Sequence, residues 1–173
     1  RDETVTGYRV YRRGGQQTTP FIPIGLQAEN DTTLVDDVEI HTRYYYYVLA
    51  VSDSDVESQP SDTLSYKLCE KPTGLSVDKT TQPVTFKWED PASPPHTNFI
   101  IRIRDKGSGE YIWIYTIEDN YQTPFKSVEY NVDGNALHDN LQQGREYEWR
   151  IDVLVKAEQN SGSESGWQSL IIQ

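Results

Sequence analysis

Methionine is absent from this 173-residue chain, cysteine occurs once and histidine only three times. Each shortage closes a class of function. A single thiol, Cys69, cannot close an internal disulfide, so a disulfide-stapled module is excluded and the redox compartment stays open. Three scattered histidines, His41, His96 and His138, offer no zinc-type spacing. No apolar run reaches the ~18 residues that a spanning helix needs. There is no basic excess either: 16 Lys and Arg face 27 Asp and Glu, for a net charge of −11. A nucleic-acid binder needs a basic face to neutralise phosphates, so that class falls as well. The acidic charge is even, with six basic and eleven acidic residues in 1–68 and ten and sixteen in 69–173, which describes a solvated surface. A chain that begins at Arg1 without methionine is expected to be a processed product or a piece of a longer protein.

Helical periodicity is also scarce. What the sequence does contain is a succession of short segments with period two, rich in Val, Ile, Tyr and Trp and separated by Gly, Pro, Asp, Asn and Ser. "GYRVYRR", "FIPIGL", "YYYYVLAV" and "TLSYKL" precede Cys69. "GLSV", "PVTFKW", "NFIIRIR", "EYIWIYTI", "SVEYNV", "EYEWRIDVLV" and "SLIIQ" follow it. This pattern predicts an all-β sandwich or barrel. An internal repeat divides it: Val38–Val51 aligns with Leu141–Leu154 at an offset of 103, matching Tyr44 to Tyr147, Tyr46 to Trp149, Val48 to Ile151 and Ala50 to Val153.

In both copies an aliphatic residue precedes a tyrosine by six positions, after which apolar residues alternate. This arrangement resembles the fibronectin type III fold, a seven-stranded antiparallel sandwich with a tyrosine at the corner entering its sixth strand. The resemblance implies two such immunoglobulin-like sandwiches in tandem, 1–68 and 69–173. "GYRVYRRG", "TTLVDDV" and "TRYYYYVLAVSDSDVESQPSD" would be strands C, E, F and G of the first. "KPTGLSV", "VTFKWEDP", "TNFIIRIRD" and "LQQGREYEWRIDVLV" with "GSESGW" would be strands A, B, C, F and G of the second. Segments such as "VTGYRVYR" and "GSES" resemble tandem repeats of bacterial secreted proteins and surface lipoproteins, which implies an extracellular or cell-surface location.

The first unit is short at its start. Pro72 precedes Phe99 by 27 residues, room for strands A and B, whereas only seven residues precede Tyr8, the counterpart of Phe99. The inward positions Val10, Tyr46 and Val48 then await completion by a lost segment, a protein partner or neighbouring copies, as in strand donation within a filament. Within "YYYYVLAV", Tyr44, Tyr46, Val48 and Ala50 are expected to face inward and Tyr45, Tyr47 and Leu49 outward.

Signals for chemistry are few. No nucleophile elbow or phosphate-cradling glycine loop is present, and Cys69 has no histidine beside it in sequence. The chain reads as non-catalytic and free of cofactors, a structural or adhesive module. Asp53, Asp55 and Glu57 in "SDSDVES" are weak candidates for a cation, against the plainer reading of a solvated turn. Tyr111, Trp113 and Tyr115 alternate in "EYIWIYTI"; turned outward they would form a platform for a polysaccharide or a protein, as in an accessory region of a secreted carbohydrate-active enzyme, and turned inward they fill the core. Tyr44 and Tyr147 are the expected structural corners, their hydroxyls bonding backbone upstream.

Overall fold

The computed structural model describes residues 4–16, 18–119 and 123–172. All its regular elements are strands, and they fall into two compact units, Arg1–Leu68 and Cys69–Gln173.

Among the described residues, unit 1 contains four strands in one antiparallel sheet of order β2-β1-β3-β4. They are β1 (Val5–Gly14), β2 (Ile22–Ala28), β3 (Arg43–Ser52) and β4 (Leu64–Leu68). Pairing sets the faces, because residues directly opposite in an antiparallel ladder point the same way. Val10 lies opposite Val48, Tyr8 opposite Ala50 and Arg12 opposite Tyr46; Leu64 and Tyr66 lie opposite Tyr46 and Tyr44. The other face carries Arg9, Tyr11 and Arg13 against Leu49, Tyr47 and Tyr45. Gly14 has a local reason: a Cβ there would stand 2.9 Å from the Tyr44 ring.

Two expectations for this unit are corrected. "TTLVDDV" is not a strand; residues 31–39 run without ladder pairing. A strand E pairs with strand B, and the described residues of unit 1 offer no such edge. Asp36 is instead held by Arg12 Nη1 at 2.7 Å and by the Tyr46 hydroxyl at 2.9 Å. The second correction concerns the tyrosine row. None of Tyr44 to Tyr47 is buried, while Leu49 and Val51, on the face expected to be outward, are. No second sheet covers either face among the described residues of this unit, so inward and outward lose their usual contrast.

Unit 2 closes. One sheet is β5 (Thr73–Asp78), β6 (Thr85–Glu89) and β9 (Phe125–Glu129), in the order β5-β6-β9. The other contains β7 (Asn98–Asp105), β8 (Tyr111–Glu118), β10 (Glu146–Leu154) and β11 (Ser161–Glu164), in the order β11-β10-β7-β8, with β12 (Gln168–Ile171) also pairing β10. This is the two-sheet arrangement of a fibronectin type III sandwich. Phe86, Trp88 and Val128 from the first sheet, with Val84 just before β6, meet Phe99, Ile101, Ile103, Trp149, Ile151 and Val153 from the second in one buried core. Phe86 packs edge-on to Trp149 at 4.9 Å between centroids, and Trp88 to Phe99 at 5.4 Å. No helix of the described residues is long and apolar enough to cross a membrane.

Candidate protein-contact surface

The two units share a ladder. Val48 faces Val10 in unit 1 as Ile151 faces Ile101 in unit 2, so Tyr8, Val10 and Arg12 occupy the places of Phe99, Ile101 and Ile103. The latter three are fully buried. Their counterparts are not: Val10 and Arg12 are half-buried, and Tyr8 is exposed. Tyr46 and Val48 are likewise half-buried where Trp149 and Ile151 are buried almost completely. The same face continues over Leu64, 71% exposed, and Tyr66, 43% exposed. Val10, Tyr46 and Val48 therefore do lie together on one continuous, largely apolar surface. Leu64 and Tyr66 extend it; the alternation in "TLSYKL" was the signal that sequence reasoning passed over. Local cover comes from Leu34, which folds over β2 at Gly25, where a Cβ would stand 2.9 Å from Leu34 Cδ1, and from Asp36, held by Arg12 and Tyr46.

The charge on this face is internally settled. The Arg12 guanidinium pairs with Asp36 and stands 5.1 Å over the Tyr44 ring. Desolvation, followed by the hydrogen bond to the Asp36 carboxylate, holds the Tyr46 hydroxyl well above the ordinary tyrosine range, so it stays a neutral donor.

The opposite face of unit 1 interleaves rings and guanidinium groups. Tyr11 stacks on Tyr47 at 4.9 Å and 13°, and Phe21 tilts against Tyr47. Arg13 stands 4.4 Å from the Tyr45 ring centroid and 5.1 Å from that of Phe21. Aromatic and Arg stacking of this kind organises an exposed sheet face. The acidic turn belongs here too. Arg9 takes both Asp55, at 3.4 Å, and Glu57, which also accepts from the Tyr11 hydroxyl. Two of the three carboxylates proposed for a cation thus already face a guanidinium, and Asp53 instead accepts from the Ser54 hydroxyl.

The Tyr111–Trp113–Tyr115 row does not exist as one face. A bulge between Ile103 and Arg104 makes Ile112 the extra residue, so Tyr111 pairs with Arg104 and Trp113 with Ile103. Trp113 is consequently buried, donating from Nε1 to Asp133 at 2.8 Å and stacking on Tyr115. Tyr111 turns to the far side, 6.5 Å from the Trp167 ring. A flat three-ring platform is lost with the alternation. Trp167 had not been singled out; it lies between Arg104 at 4.1 Å and Arg150 at 4.9 Å. The alternating charges of "IRIRD" and "EYEWRID" carried that signal. Arg102 pairs with Asp152, Arg104 with Glu148 and Arg150 with Glu164 across this outer face.

The corner tyrosines bond as a pair of equivalents. Tyr147 Oη accepts from the Gln142 N–H at 2.9 Å, and Tyr44 Oη from the Glu39 N–H at 3.4 Å, five residues upstream in each case. Tyr147 is fully buried and Tyr44 is not. Tyr147→Phe is expected to cost about 1–2 kcal/mol, and Tyr44→Phe less than about 0.5, because only the first removes a hydrogen bond made by a fully buried side chain. Urea unfolding of each variant measures the difference; equal costs would deny the asymmetry.

Cys69 does have a histidine beside it in space, contrary to the sequence reading. Its side chain acts on the His96 imidazole, whose pKa it helps to raise, and its Sγ donates to Ser163 Oγ at 3.6 Å. His96 Nδ1 lies 2.9 Å from Asp90 Oδ1, and Asp90 is wholly buried. Thiol, imidazole and carboxylate form a line resembling that of a nucleophilic triad. Cys69 is only 5% exposed and belongs to the buried core cluster. The Asp90 carboxylate and then the Cys69 side chain raise the His96 pKa to about 10, against the pull of burial. Burial pushes the Asp90 carboxyl upward, but hydrogen bonds from His96 and Ala92 bring it below its ordinary value. The pair is therefore ionic at neutral pH.

No family model matches the chain. A two-domain fibronectin type III segment from chicken tenascin is similar in structure over 98% of this chain and 85% of its own, with 15% identity and a TM-score of 0.40.

Proposed function

We propose that the chain is a non-catalytic protein-interaction module of the extracellular space or cell surface. Unit 2 acts as a self-contained spacer, and the Tyr8–Val10–Tyr46–Val48–Leu64 face of unit 1 is the contact surface. One observation carries this reading: positions that form a closed core in unit 2 stand open in unit 1, at matching points of the same ladder. Apolar surface of that extent marks a binding site on a soluble domain. A protein partner or a neighbouring copy that lays strands over the face supplies what β5, β6 and β9 supply in unit 2, in the manner of adhesive or filament-forming surface proteins. The resemblance to bacterial lipoprotein repeats supports that setting.

The test uses a dye that fluoresces on apolar surfaces. Wild-type chain is expected to bind it, and Val48→Asp to reduce binding several-fold. All four tryptophans, Trp88, Trp113, Trp149 and Trp167, lie in unit 2, so their fluorescence reports that unit alone and should melt unchanged. No dye binding by the wild type under conditions where it is monomeric would remove the proposal.

A further inference from the structure

We infer that the occupant of the open face is a second copy of the same face, two unit 1 sheets packing as the halves of one eight-stranded sandwich. This inference rests on the contact surface proposed above and names its partner. Three features of the molecule favour a copy of itself.

The first is the template within the chain. In unit 2 the equivalent face is covered by a sheet presenting alternate large apolar side chains, Phe86 and Trp88 on β6 and Val128 on β9. The unit 1 face itself presents such alternation, Val10 on β1, Tyr46 and Val48 on β3, Leu64 and Tyr66 on β4. Sheets of this kind pack face to face about 10 Å apart with their strands about 30° from parallel. Each copy thus offers the other what β6 and β9 offer β7 and β10.

The second is charge. A chain of net charge −11 repels its own copy at most of its surface. On this face the one carboxylate among its contacts, Asp36, is paired with Arg12, and the remaining groups are neutral. Two such faces meet without an uncompensated like charge. A basic partner would find no acidic patch here to complement.

The third is area. Four strands about 4.8 Å apart and about 8 residues long span roughly 500 Å², part of it under Leu34 and Asp36, so a twofold pair buries somewhat less than about 1,000 Å², at the low end for a specific interface. The contact is isologous, every residue meeting the partner's equivalent region, and it closes at two copies. The geometry therefore gives a dimer and not an open fibre.

The experiment is the mass in solution of the intact chain across 1–200 µM (a range of about two decades), with dye binding measured on the same samples. The expected result is a concentration-dependent rise from 19.9 kDa to twice that value, with dye binding falling as dimer forms. Leu64→Lys carries the specificity arm. Leu64 is largely exposed in the single chain, so the change leaves the fold intact, and it is expected to weaken dimerisation at least tenfold. Val10→Asp with Val48→Asp should abolish it while the tryptophan melt holds. A monomer at every concentration that still binds dye overturns the self-pairing and leaves the contact surface standing. A monomer that binds no dye overturns both. A dimer indifferent to Leu64→Lys and to the double change places the pairing elsewhere and also overturns the inference.

Discussion

Replacing His96 by glutamine is expected to lower the stability of unit 2 by roughly 3 kcal/mol at neutral pH, since breaking a buried ion pair leaves the other charge uncompensated. Asp90 would keep its backbone donors at Ala92 and residue 96 but lose the imidazolium. The same variant should flatten the dependence of stability on pH. The His96 pKa rises from 6.5 when unfolded to about 10 when folded. A raised folded pKa means that the native state holds the proton more tightly. The stabilisation is complete below about pH 6.5 and is lost as pH rises through about 10. Wild-type urea midpoints, followed by tryptophan fluorescence, should therefore decline between those limits, while those of His96→Gln change little. Asp90 has the opposite sign: its folded pKa is lowered, so its contribution is lost only as acid protonates it. Parallel pH profiles for the two proteins would show that the pair is not ionic.

Trp149→Ala is expected to cost about 3–5 kcal/mol, the range for removing a large ring from a closed core. Trp149 is 1% exposed and packs against Phe86. Tyr46 stands at the equivalent place in unit 1, half-buried and bonded through its hydroxyl to Asp36. Tyr46→Ala should cost about 1 kcal/mol in the single chain, because little apolar area returns to water and no cavity forms. The ratio of the two costs measures how open unit 1 is. The three remaining tryptophans report unit 2, and far-ultraviolet or hydrogen-exchange signals from β1 and β3 report unit 1. Equal losses would mean that Tyr46 is as enclosed as Trp149.

Much of this architecture was legible because period-two alternation and turn residues mark short strands directly. The repeat at offset 103 was legible for the same reason, and it lines up the Gln142–Tyr147 and Glu39–Tyr44 corner bonds. What escaped has a common cause in pairing partners. "TTLVDDV" alternates like a strand, but a strand exists only where a neighbouring edge accepts it. Trp113 and Tyr111 are two apart and were placed on one face, yet the bulge at Ile112 adds a residue that no local pattern announces. His96 and Cys69 are 27 residues apart and meet through loops, beyond any spacing rule. The alternating charges around Trp167 were visible, but their meaning depended on β7 and β10 lying side by side.

Unit 1 is open where unit 2 is closed. Solvent paramagnetic relaxation of methyl groups, recorded on the chain at low micromolar concentration, reads this directly. Val10 and Val48 are predicted to relax strongly with a soluble paramagnet, while Ile101 and Ile151 at the matching ladder positions stay protected. Equal protection of all four in the dilute monomer would contradict it.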